Sequence, residues 1–193
     1  YALIVEDQTP LAAMVKDKLV QPLPDEEDAE QYQMTIDTLN AHGYHQYEVS
    51  NFAKPGYECR HNINYWNHSN YISFGPSAHS FWKDTPATGK RWWNVRSVQS
   101  YCADLEAGKF PVVGGEEIDK KKMFNEEIFL GLRSTGIDLT KIKTLFGKDF
   151  VKEKEELVTS LLKENLVYIA DGTLSLTSAG YMICDEIAEK MIE

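Results

Sequence analysis

The side chains best suited to chemistry are crowded into one stretch. Four of the five histidines (His45, His61, His68 and His79) and 13 of the 22 aromatic residues lie between Tyr44 and Tyr101. Imidazoles can ligate metals, but spacings of 7 and 11 between His61, His68 and His79 match no compact zinc pattern. An imidazole among rings has a second use, as an axial ligand to haem iron. Rings interleaved with Asn, His and Gly also make a wall for a flat ligand, supplying area at low entropy cost while polar tips fix orientation. Core packing with exposed loop aromatics is the alternative that composition leaves open. Glu6 and Glu48 end or sit in candidate parallel strands, where barrel enzymes place functional groups, although a solvated or paired carboxylate is the usual role of such an acid. The chain holds no GxSxG, GxGxxG or P-loop motif.

Two textures of sequence must position these groups. YALIV is apolar and β-branched and predicts a buried strand that starts at Tyr1, so a piece of a longer protein is expected. A short amphipathic piece follows, and the acids Asp25 to Asp28 open a helix running to about Leu39, where they favour the positive end of its dipole. Gly43 suits a left-handed cap, and QYEVSNF reads as a second strand. Strand, helix and strand in this order suggest a βα repeat with parallel strands; a generic α+β domain stays open. Residues 54–95 show little periodicity beyond the candidate strands NYISFG, ending at Gly75-Pro76, and RWWNV. SVQSYCADLEAG has a Ser97 cap, a helical pattern and a Gly108 stop.

After a boundary near Pro111 to Glu117, Asp119 opens a helix whose Phe124, Ile128 and Leu132 recur every four residues. LTKIKTLF and EKEELVTSLLKEN read as two further helices, LVYIADGTLSLT as a hairpin turning at Asp171-Gly172, and the end of the chain as a last helix. Three helices and a hairpin are the order of a winged helix. The third helix carries four acids against three lysines in KEKEELVTSLLKEN, which argues for a protein contact rather than a DNA groove.

Composition bounds the function further. With 193 residues, 42% hydrophobic, and 12 Gly and 7 Pro, the chain can bury one or two cores and is neither disordered nor low-complexity. The formal charge of −10 leaves no basic excess for a phosphate backbone, so no nucleic-acid partner is expected. No apolar run reaches the length of a membrane-spanning segment. Three cysteines, Cys59, Cys102 and Cys184, suit neither a disulfide framework nor a CxxC site and fit a reducing, cytoplasmic setting.

YEVSNFAKPGYECRHNINYW followed by YISFGPSAHS resembles the radical S-adenosylmethionine proteins related to oxygen-independent coproporphyrinogen III oxidase, most closely their HemW-type haem-chaperone branch. YALIVEDQTPL and LTSAGYMICDEIAEKMI are similar to that family as well. The resemblance implies that residues 1–115 are the C-terminal portion of a partial (β/α) barrel and residues 116–193 a small winged-helix-like accessory domain, an α/β plus α+β architecture. It implies a [4Fe–4S] cluster and S-adenosylmethionine in the whole protein, with the cluster's CxxxCxxC motif absent here, so that this piece alone should not start radical chemistry. It also implies haem or a porphyrin as ligand and a haem acceptor protein as partner. By the same resemblance His61 is the candidate haem ligand, with Asn62, Tyr65 and Trp66 around it; Ile63, Asn64, Gly75 and Pro76 would lie near S-adenosylmethionine. Ser73 and Ser77 stand where many relatives have Gly, which puts close backbone approach at that turn in doubt. The alternatives are a true oxidase, decarboxylating coproporphyrinogen III, and a cluster-free binding module.

Overall fold

A computed structural model describes residues 3 and 5–193 as a mixed α and β protein with two compact units, residues 1–58 and 59–193. The strand expected over YALIV falls on Tyr1, Ala2 and Ile4, outside the described residues.

The first unit holds α1 (Pro10–Lys16), α2 (Asp25–Ala41), β1 (His45–Gln46) and β2 (Phe52–Ala53). Thr9 caps α1 by accepting from the Ala12 amide, and the acids at 25–28 fill the first turn of α2 as expected. QYEVSNF is not one strand. β1 and β2 pair antiparallel across a turn in which the Tyr47 amide donates to the Asn51 carbonyl and the Ser50 amide to the Glu48 carboxylate. The parallel partner expected for this segment, the YALIV strand, falls outside the described residues; every pairing among the described strands is antiparallel. The Tyr32 hydroxyl of α2 donates to the Val49 carbonyl and accepts from the Gln46 amide, tying helix to turn.

The second unit opens with α3 (Arg60–Trp66), a helix of seven residues in the stretch that showed no period. Two turns are too short to declare one. A three-stranded sheet follows, in the order β3 (His79–Thr85), β4 (Thr88–Asn94), β5 (Val112–Ile118), with α4 (Val98–Glu106) between the last two. RWWNV and the Ser97-capped α4 form as expected. NYISFG contributes only an isolated bridge between Tyr71 and Phe81, because the Ser73 amide turns to the Ser80 hydroxyl instead of a strand. β5 runs through residue 115, so residues on both sides of the anticipated boundary share this sheet. Gly114 faces Trp93 across β4 and β5, where a Cβ would stand 2.6 Å from the indole ring.

Beyond β5 come α5 (Lys120–Leu132), β6 (Ile137–Asp138), α6 (Leu139–Phe146), α7 (Phe150–Glu153), α8 (Glu155–Lys163), β7 (Val167–Ala170), β8 (Thr173–Leu176), α9 (Ser178–Met182) and α10 (Cys184–Met191). The third expected helix breaks at Lys154 and the last at Ile183, both with non-helical backbone. The Asp171-Gly172 turn has positive φ at both residues, the geometry that a tight hairpin matches to strand twist. β6, β8 and β7 form a second three-stranded sheet.

The core gathers on α5. Met123, Phe124, Ile128 and Leu132 are buried against Ile142 and Phe146 of α6, Leu174 of β8 and Met191 of α10. Phe124 meets Phe146 edge-on at 5.4 Å and Phe150 at 6.2 Å between ring centroids. Phe124→Ala should therefore cost about 3–5 kcal/mol in a chemical denaturation measurement. An unchanged midpoint would show that this ring cluster is not the core.

Candidate functional site

α3 carries six of the eight expected site residues. His61 and Asn64 are exposed, while Asn62, Ile63, Tyr65 and Trp66 are half-buried. His61 and Tyr65 lie one turn apart on the same face and meet edge-on at 4.9 Å. Further rings continue the contact: Tyr65 to Tyr71 at 4.6 Å, Tyr71 to Phe81 at 6.1 Å, and Phe81 to His68 stacked at 4.4 Å. An unbroken path of rings thus leads from an exposed imidazole to a buried one.

Gly75 and Pro76 lie in the loop before β3. The Gly75 amide donates to the Tyr101 hydroxyl, and its carbonyl accepts from the Ala78 amide and the Asn94 side chain. Both backbone polar groups are thereby used, so a ligand at this turn would gain contact area rather than hydrogen bonds from Gly75. Its φ of +110° keeps the turn a glycine position. Ser77 holds a positive φ of 60° without being Gly.

Glu6 and Glu48, expected in strands, lie in none. Glu6 is exposed, and Glu48 is buried in the turn between β1 and β2. His79 is exposed on β3 and stacks on Trp93 at 5.5 Å. Among the described residues no three His, Cys, Asp or Glu gather to hold a metal ion. Cys59 and Cys102 are exposed, whereas Cys184 is buried and its thiol is pushed up to about 11 by that burial. These cysteines do not fit a [4Fe–4S] cluster. His61 is an exposed imidazole on α3 with the Tyr65 ring beside it, a side-chain type able to ligate iron through a ring nitrogen.

His68 joins residues that the sequence does not single out in a buried ionic network at the inner end of the ring path. His68 is only 4% exposed. Its Nε2 lies 2.9 Å from Glu126 and its Nδ1 lies 3.4 Å from Glu127. Neither nitrogen is aligned for a hydrogen bond, so these are close approaches to the two carboxylates. Glu127 also accepts from Lys83 of β3 at 3.1 Å and from Lys141 of α6. Glu126 accepts from Arg91 of β4 at 2.7 Å, and Arg91 reaches Glu116, its cross-strand partner on β5, at 3.0 Å. A cleft of about 280 Å³ opens beside this network, bounded by Tyr65, Tyr71, Phe81 and Phe129 with His68, Arg91 and Glu126. Of the eight expected site residues, Tyr65 alone borders it. A second hollow of about 420 Å³ on β4 and β5 touches none of them.

One sequence signal pointed to this network. Glu127 sits four residues after Met123 on a helix whose inner face is apolar, a position where an acid must be paired. Its partners are scattered over Lys83, Arg91 and Lys141, and no local pattern announces them.

Against known proteins, the chain is 33% identical to the haem chaperone HemW of Bacillus subtilis over 97% of its own length and 48% of that protein's. It is 31% identical to HemW of Lactococcus lactis over all of its length and 49% of that protein's. The chain thus matches HemW-type haem chaperones along nearly its whole length. It spans about half the length of these curated relatives. Residues 118–183 match the model of the HemN C-terminal domain, which places Glu126 and Glu127 within that domain. The solved structure of coproporphyrinogen III oxidase (HemN) from Escherichia coli, described as a radical SAM enzyme, matches with a TM-score of 0.64 and 16% identity. It covers 89% of this chain and 42% of that one. At that identity the likeness is one of fold. Among the described residues no helix is long and apolar enough to cross a membrane.

The charge network makes a pH signature. Burial alone would raise the Glu127 carboxyl, but His68, Lys141 and Lys83 together hold it at about 2 against an ordinary 4.5. Glu127 therefore contributes stability that is fully present above about pH 4.5 and is lost as pH falls through about 2. Glu127→Gln should destabilise the fold at neutral pH by about 3 kcal/mol and flatten the loss of stability between those two values. Parallel pH profiles of the melting temperature for the two proteins would contradict this.

Proposed function

We propose that the chain is part of a HemW-type haem chaperone, a radical S-adenosylmethionine protein that holds haem and passes it to an acceptor protein. The observation that carries this reading is the match to HemW proteins along nearly the whole chain, joined to the exposed imidazole of His61 on a helix flanked by rings. In this proposal His61 would hold the haem iron. Asn62, Tyr65 and Trp66 shape the surface around it, and a bound haem supplies its iron as the coordination centre.

Ile63, Asn64, Gly75 and Pro76 are proposed to border S-adenosylmethionine. Since both polar backbone groups of Gly75 are taken, that contact would be one of shape. The [4Fe–4S] cluster would be held by residues other than this chain's cysteines. Residues 1–115 are proposed as barrel-derived and 116–193 as the winged-helix-like domain; the order α5, β6, α6, α8, β7, β8 supports the latter. A cytoplasmic setting follows from the same reading.

Hemin titrated into the 193-residue chain should give a shifted Soret band, and His61→Ala should weaken binding by about tenfold or more. Equal affinity in the two proteins would remove His61 from the proposal. Decarboxylation of coproporphyrinogen III by a cluster-loaded protein that includes this chain would favour an oxidase instead.

A further inference from the structure

His68 follows α3 by two residues, at a positive φ of 53° that ends the helix and turns its imidazole inward. Its backbone closes the helix end: the His68 amide donates to the Tyr65 carbonyl, and the next amide, of Ser69, donates to Asn64. The side chain is buried and stacks on Phe81, while each ring nitrogen faces a different carboxylate of α5, Glu126 at 2.9 Å and Glu127 at 3.4 Å. Those acids are in turn fixed from three sides, by Arg91, Lys83 and Lys141.

A strained backbone at a non-glycine residue persists only where its surroundings over-determine it. Burying an imidazole between two acids requires those acids to stay charged and in place. We infer that Glu126 and Glu127 are positioning residues: through His68 they hold the C-terminal end of α3, so that the HemN C-terminal domain sets the orientation of the helix bearing His61 and Tyr65. The consequence for haem rests on the proposed function; the anchoring of α3 does not.

Hydrogen exchange of the 193-residue chain tests the anchoring directly. The amides of Asn67, His68 and Ser69, bonded to Ile63, Tyr65 and Asn64, should exchange about tenfold faster in Glu127→Gln and in His68→Gln. The double variant should exchange no faster than either single one, because both remove the same contact. The amides of α8, remote from the network, should accelerate by no more than the loss of global stability accounts for. Should His68→Gln fail to fold, Glu126→Gln, which removes the other carboxylate facing His68, should accelerate the same three amides.

Unchanged rates at 67–69, or acceleration equal everywhere, would overturn the inference. Hemin binding by the same variants separates it from the functional reading. If His61→Ala leaves affinity unaltered while exchange at 67–69 accelerates in Glu127→Gln, the haem assignment fails and the anchor stands. With both correct, Glu127→Gln weakens hemin binding and shifts its Soret band while His61 is intact, and it adds nothing in the His61→Ala background.

Discussion

A carboxylate at the centre of the second unit has to stay ionised where water hardly reaches it. Glu127 is 9% exposed, and the charge it buries would be untenable without Lys83, Lys141 and His68 around it. Each partner comes from a different element: β3, α6 and the loop after α3. Satisfying one buried charge therefore fixes the sheet, the helical domain and α3 against α5. Glu126 extends the same logic to β4 and β5 through Arg91 and Glu116.

This arrangement separates two jobs along α5. Phe124, Ile128 and Leu132 face the core of the helical domain, which apolar burial alone can stabilise. The adjoining acids face the sheet and α3, where polar pairing gives direction that apolar contact lacks. The rings between His68 and His61 then pass that fixed geometry outward by packing, since stacked and edge-on rings tolerate little displacement. An exposed imidazole becomes a defined ligand only if the helix beneath it is held. In this chain the holding groups belong to the domain that follows.

Much of the helical part was legible because its signals are local. The Asp119 cap, the four-residue recurrence of Phe124, Ile128 and Leu132, and the Asp171-Gly172 turn each announce an element from its own residues, and each forms. Signals failed where distant partners decide. QYEVSNF has strand composition, yet the Glu48 carboxylate caps the Ser50 amide and folds the segment into a hairpin. HNINYW is two turns long and shows no period, so α3 was visible only as a motif that resembles a family, not as a helix. By spacing, His68 groups only with His61 and His79, three histidines that match no compact zinc pattern. The fold instead separates all three and spends His68 on two acids nearly sixty residues away.

The central claim is that the Glu127 carboxylate couples the sheet to the helical domain. A double-mutant cycle of Lys83→Met and Glu127→Gln, read by chemical denaturation at neutral pH, tests it most directly. Partners 3.1 Å apart in a buried network should show a coupling energy of about 1–3 kcal/mol. Additive effects of the two substitutions, with coupling near zero, would contradict the account.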